Sequence, residues 1–167
     1  MGFSHTLIAQ ENVKNPLSFS FGIPMNIVNN DAEMGLNINF LVFKNSNFGY
    51  YINLYGLIYS IRSIDSVGVD FGIITGVGYK KTLNNYLGFY TGIGPEIRFS
   101  NDTYDDTYEH LHIGIGIGGT LEIRLQIKNN ISFAGGVLVR SNYFYNNSDY
   151  NILNIISVQP FIGISWN

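Results

Sequence analysis

Residues 110–127 read HLHIGIGIGGTLEIRLQI. Every odd position from Leu111 to Ile127 is Leu or Ile except Gly119. The even positions carry His110, His112, Gly114, Gly116, Gly118, Thr120, Glu122, Arg124 and Gln126. A period of two is the signature of a strand, whose successive side chains point to opposite faces. One face of this strand is oily, and the other is made of glycines and opposed charges. Which face is inside decides the fold.

The same alternation runs through the whole chain, and a helical period persists nowhere. Working outward from 110–127, seven more segments share it: 16–27, 34–43, 48–61, 67–79, 86–99, 131–145 and 154–166. Segment 67–79 sets Val67, Val69, Phe71, Ile73, Val77 and Tyr79 against Gly68, Asp70, Gly72, Gly76 and Gly78. Segment 86–99 sets Leu87, Phe89, Ile93, Ile97 and Phe99 against Gly88, Gly92, Gly94, Glu96 and Arg98. Segment 48–61 is ambiguous, because Tyr occurs on both faces, although Ile52, Leu54 and Ile58 oppose Asn53. Turn-forming clusters such as KNSN, KKTLNN, NDTYDDTYEH and NNSDYN separate the segments. Eight antiparallel strands in meander order is the economical reading, an all-β, up-and-down barrel over residues 16–167. Residues 1–15 have neither the basic nor the apolar region of an intact signal peptide. They are read as an N-terminal extension, a leader remnant or a disordered lead-in.

Composition points to a membrane. Charged residues are only 13% of the 167-residue chain, about half the usual share. Polar residues or glycines nevertheless break every apolar run before it reaches the roughly 18 residues of a spanning helix. The formal charge of -3 supplies no basic footprint for a phosphate backbone, so nucleic acid is not an expected partner. The absence of cysteine excludes disulfides, thiolate metal sites and a Cys nucleophile.

Two barrels fit the alternation. A soluble, lipocalin-like ligand-binding barrel turns its apolar row inward, and a membrane barrel turns it outward. Glycines on a water-facing surface would give up β-propensity with no return, whereas inside a narrow eight-stranded barrel they make room for long side chains. The same face carries Asp70, Glu96 and Glu122 with Arg98, Arg124 and Arg140, three charges of each sign, and buried charge is tolerated when paired. With His112 these residues form the expected lumenal charge network. Eight strands leave so little space that a plug of ion pairs is favoured over a conductive path.

The connections segregate by charge. With the N-terminus on the periplasmic side, Lys14, Lys44, Lys80, Lys81 and Lys128 all fall there, and Asp31, Glu33, Asp65, Asp102, Asp105, Asp106, Glu109 and Asp149 fall outside. Aromatic residues near strand ends, such as Phe19, Phe48, Tyr79, Tyr143 and Trp166, match interfacial girdles. The even meander, the glycine-interrupted strands, the paired inner charges and the aromatic near the last residue resemble the small eight-stranded bacterial outer-membrane barrels, of the outer-membrane protein A, outer-membrane protein X and opacity-like kinds. The chain departs from their usual terminal Phe in ending Trp166-Asn167. The resemblance implies location in the bacterial outer membrane, a lipid bilayer as partner, a monomer, and a structural or surface-recognition role.

The expected recognition surface is the outer connections, with Asp102, Tyr104, Asp105, Asp106, Tyr108, Glu109, Tyr145 and Tyr150 facing a host or cell-surface macromolecule. Tyrosines suit adaptable contacts of that kind. Three further motifs have plainer explanations. GIGIGG at 114–119 matches a dinucleotide fingerprint only formally, because TLEIRLQI continues as strand where a helix is required. The acidic run at 102–109 lacks the spacing of a Ca²⁺ loop. His110 and His112 have no Ser in their own strand, Ser100 lying across the hairpin, so an enzyme is not expected and neither cofactor nor metal is. Two further alternatives stay open here, a narrow channel for small or apolar solutes and a lipid-modifying outer-membrane hydrolase.

Overall fold

A computed structural model describes residues 17–28, 31–43, 46–61, 66–104, 108–128, 130–145 and 152–166. The expected N-terminal extension, residues 1–15, lies outside the described residues. The described chain forms eight strands: β1 (Leu17–Val28), β2 (Asp31–Phe43), β3 (Phe48–Ile61), β4 (Ser66–Thr82), β5 (Leu87–Tyr104), β6 (Tyr108–Lys128), β7 (Ile131–Tyr145) and β8 (Ile152–Trp166). Each pairs antiparallel with its neighbours in sequence, and β1 pairs with β8 from Phe19↔Trp166 to Pro24↔Phe161. The sheet is therefore a closed up-and-down barrel. Leu17, Phe43, Phe48, Thr82, Leu87, Lys128, Ile131 and Trp166 lie at what we call the terminal end, and the opposite ends of the strands form the distal end.

The alternation of the sequence becomes an alternation of environment, with the polar row inside. On β6 Ile115 and Ile117 are 65% and 61% exposed on the outer wall, while Glu122 and Arg124 are 1% exposed within. The pattern holds on β8, where Ile156, Val158, Ile162 and Ile164 are exposed and Gln159 and Ser165 are buried. This is the reverse of a soluble barrel.

The turns at the terminal end have local causes. Asn84 Oδ1 accepts from the backbone N–H of Tyr86 and of Leu87, both at 2.9 Å, an Asx turn that reverses the chain between β4 and β5. Ser46 Oγ donates to the Phe48 carbonyl at 2.6 Å. Pairing of β6 with β7 shifts register between Gln126 and Lys128, a bulge that re-aims the last side chain of β6. The β4–β5 ladder skips from Ile74↔Glu96 to Val77↔Ile93. Pro95, which has no N–H to donate, lies in that gap.

Inside, glycine on one strand receives a bulky side chain from another. A Cβ at Gly92 would overlap the ring of Tyr51, two strands away, and one at Gly118 would lie 2.7 Å from Glu96 Oε2. The inner aromatics and aliphatics form a cluster of Leu41, Phe43, Tyr51, Tyr55, Leu57, Ile74 and Leu138. Gly92→Val is expected to destabilise the barrel by about 1–3 kcal/mol through overpacking. Denaturant unfolding of the reconstituted protein, followed by Trp166 fluorescence, measures it. An unchanged midpoint would mean that Tyr51 does not depend on that space.

Candidate functional site

The barrel interior brings together residues from distant parts of the chain. Its first polar cluster lies toward the terminal end. Arg124 Nε donates to Glu122 Oε1 at 2.6 Å, and Arg124 also donates to the Ser18 hydroxyl across the β1 wall. Ser20 Oγ donates to Glu122 Oε2 at 3.0 Å. Asn39 Nδ2 donates to Ser20 Oγ at 3.1 Å, and Asn53 Nδ2 donates to Asn39 Oδ1 at 2.7 Å. Ser20, Asn39 and Asn53 are register partners on β1, β2 and β3, so the sheet itself lines up this chain of donors. The Arg124 guanidinium sits 3.9 Å from the centroid of the Tyr90 ring, a cation–π contact inside the barrel.

A second cluster lies nearer the distal end. Tyr55 donates its hydroxyl proton to Glu96, and the Arg140 guanidinium covers the same ring at 4.4 Å. Arg140 Nη2 also donates to Ser157 Oγ at 3.1 Å. Arg98 pairs with Asp70. Of the three acid and three base residues on this face, two pairs are in direct contact, and Tyr55 links the third, Glu96 and Arg140. Asp70, Glu96, Arg98, Glu122, Arg124 and Arg140 are all buried.

His112 is partly exposed on β6, beyond Gly114, and its register partner is Ser100. Ser100 in turn pairs with Asp70 on β4. The row across the three strands is thus carboxylate, hydroxyl, imidazole. A hydrolytic triad places the imidazole in the middle, where it takes the proton from the hydroxyl and is oriented by the carboxylate. Here the hydroxyl is in the middle, and the carboxylate already pairs with Arg98.

The residues expected at the recognition surface are placed by the backbone. Asp102 and Tyr104 end β5, Tyr108 and Glu109 begin β6, and Tyr145 ends β7. Asp105, Asp106 and Tyr150 lie outside the described residues. The connection expected over 100–110 is mostly strand, because β5 and β6 stay in register to Tyr104↔Tyr108. Among the described residues, β6–β7 pairing starts only at Gly114↔Phe144, so Tyr108–Ile113 have β5 alone as neighbour and the β5–β6 hairpin stands above β7.

Sequence reading did not single out Ser18, Ser20, Asn39, Asn53, Tyr51, Tyr55 or Tyr90 as members of the interior network. The two-sided tyrosines of 48–61 hid the inner face of β3. Asn53 was the available signal, since its face must also carry 51 and 55.

No protein-family model matches the chain, and no curated protein matches its sequence. Solved structures do match its fold. Neisserial surface protein A superposes with a TM-score of 0.61 at 12% identity, covering 90% of this chain and 94% of that one. The outer-membrane protein OprG from Pseudomonas aeruginosa gives 0.53 at 11% identity, covering 90% and 93%. Ail, the attachment invasion locus protein of Yersinia pestis, solved with the heparin analogue sucrose octasulfate, gives 0.51 at 11% identity, covering 90% and 94%. The chain has the fold of the small eight-stranded outer-membrane barrels.

Proposed function

We propose that this chain spans the bacterial outer membrane as a barrel with a filled polar lumen and acts as a rigid scaffold that displays its distal hairpin and connections to a macromolecule at the cell surface. The observation that carries this reading is the inversion of polarity, a wall of exposed Ile, Leu, Val and Phe around buried arginines and carboxylates. In water such a wall would be a large apolar surface with nothing to cover it, and in a bilayer it meets its solvent.

The filled lumen follows from size. An eight-stranded barrel is just wide enough for side chains to fill, and Arg124, Arg140, Tyr51, Tyr55, Phe43 and Leu138 occupy it. Hydrogen bonds tie Arg124 to Ser18 and Tyr55 to Glu96 across the interior, so opening a path for ions requires breaking charge-assisted bonds. In planar bilayers the protein is expected to be electrically silent. Steady single-channel steps from the unmodified protein would replace the scaffold reading with that of a narrow channel.

Charge selects the class of partner. By sequence position Asp31, Glu33, Asp65, Asp102, Asp105, Asp106, Glu109 and Asp149 belong to the distal strand ends or to the stretches that join them, against Arg62 as the one Lys or Arg there. Such a rim repels sulfated polyanions and steers basic partners. Ail was solved with a heparin analogue, and this chain is expected to differ. Cells displaying the protein should leave heparin beads unbound and retain a lysine-rich polypeptide in a salt-sensitive way. Charge reversal of Asp102, Asp105, Asp106 and Glu109 to Lys should exchange the two outcomes. Heparin binding by the unmodified protein, unaffected by that reversal, would exclude the proposed surface.

A further inference from the structure

The outer wall is not evenly covered. On β7 the outward position 135 is glycine, and a Cβ built there meets no atom within 4 Å. Its register partners are Ile123 on β6 and Ile162 on β8. Together with Leu125, Phe133, Ile164 and Ile23 of β1 they line a shallow groove of about 690 Å³ that includes Ala134 and Gly135 of β7. Every residue lining it is apolar or glycine, and it runs across the wall that the proposed function assigns to lipid.

A cation lies beyond this groove, toward the terminal end of the same strands. By simple alternation Lys128 would share the inner face with Glu122 and Arg124. The register shift after Gln126 instead sets it opposite Ile131, and paired residues of an antiparallel ladder share a face. The bulge therefore moves Lys128 to the outer wall at the terminal end, where it is exposed. Among the described residues no ion pair engages it. Ile131 also pairs with Trp166, whose ring lies 5.6 Å from that of Phe19. An indole at this level is typical of the membrane–water interface. Gly135 lies four residues beyond Ile131, about 13 Å along the strand and roughly 10 Å in depth after the usual tilt. That is the offset between a headgroup and the upper part of its acyl chain.

We propose that this face of β6, β7 and β8 holds one anionic phospholipid of the periplasmic leaflet, with an acyl chain over Gly135 and the phosphate on Lys128. The inference rests on the membrane-spanning reading above, and a separate measurement tests that reading. Glycine at 135 supplies the depth, and the bulge supplies the charge at the height where phosphate lies.

Native mass spectrometry of the protein released from detergent, after exchange into phosphatidylglycerol or phosphatidylcholine of the same chain length, tests the site. The expected result is one retained lipid, with phosphatidylglycerol favoured about fivefold, the preference that a single lysine near an anionic surface gives. Lys128→Gln should remove the preference and leave residual binding of both lipids. Gly135→Leu starts from a Cβ position that no atom approaches within 4 Å, so its side chain fills the groove from the strand outward and should abolish retention of both. The unheated gel mobility of each variant reports that the barrel is folded. Equal retention of phosphatidylglycerol by unmodified protein and Gly135→Leu would overturn the site, as would a dimer lost on Gly135→Leu with no lipid adduct. Flotation of the unmodified protein with vesicles separates these outcomes from failure of the membrane reading, in which case the protein would stay with the aqueous fraction.

Discussion

Arg124→Ala is expected to destabilise the barrel by about 3–5 kcal/mol, the cost of leaving one partner of a buried ion pair alone. The reason lies in what Glu122 loses. Its Oε1 accepts from Arg124 at 2.6 Å, and among the described residues Oε2 keeps the Ser20 hydroxyl and the longer contact from Asn39 at 3.4 Å. Neutral donors do not replace a guanidinium next to a carboxylate that is 1% exposed. Alanine also removes the donor to Ser18 and the cation that covers Tyr90. Urea unfolding in phospholipid vesicles would read the effect as a lower midpoint. The double variant Glu122→Leu with Arg124→Met should recover most of the loss, because removing both charges ends the desolvation penalty of the survivor. The cycle formed by Glu122→Leu, Arg124→Met and the double variant then isolates the pairwise term between the two charges. A loss below about 1 kcal/mol for Arg124→Ala would mean that water reaches this pair and that the lumen is more open than its packing implies.

The contrast between the two polar clusters shows what could be read from sequence and what could not. The eight segments, their order and the inner face of β4–β6 follow from period two and from glycine beside charge, because both are local properties. Which polar partners complete each charge is not local. Glu122 and Arg124 are two residues apart on one strand, and Asp70 and Arg98 are on neighbouring strands, so both pairs lie within reach of a strand-level reading. Ser18 and Ser20 meet Arg124 and Glu122 only because the barrel closes through β1 and β8, more than a hundred positions away in the chain. Tyr55 couples Glu96 to Arg140 from a strand whose face the sequence left ambiguous. The bulge at Gln126–Lys128 was invisible for a different reason, since a one-residue register shift changes no composition and shows only in the pairing. At the distal end the turn-like residues of 100–110 masked strand pairing that continues to Tyr104↔Tyr108. Asn and Asp favour turns in isolation, and the ladder between two long strands overrides them.

Leu121→Arg is expected to cost about 2–4 kcal/mol, the penalty for a cation on the lipid face at the bilayer midplane. Leu121 faces outward, 47% exposed, between Thr91 on β5 and Val137 on β7. On β6 it lies midway between Ile115, whose partner Tyr143 marks the distal aromatic level, and Lys128, which lies opposite Ile131 near Trp166 at the other. Ile127→Arg introduces the same charge on the same strand, 56% exposed to begin with, but at the interface, where the penalty falls to about 0–1 kcal/mol. A wall facing water makes the opposite forecast, because both substitutions would then be surface changes worth within about 0.5 kcal/mol. The difference between the two positions is therefore the quantity to measure, by denaturant unfolding of both variants in vesicles of one composition. A difference of 2 kcal/mol or more places the row Ile113, Ile115, Ile117, Leu121, Ile123 in hydrocarbon with a depth gradient. Equal and small effects would return that row to water, and the reading of membrane location, surface display and the lipid at Gly135 would fall together, because each depends on the outward direction of that row.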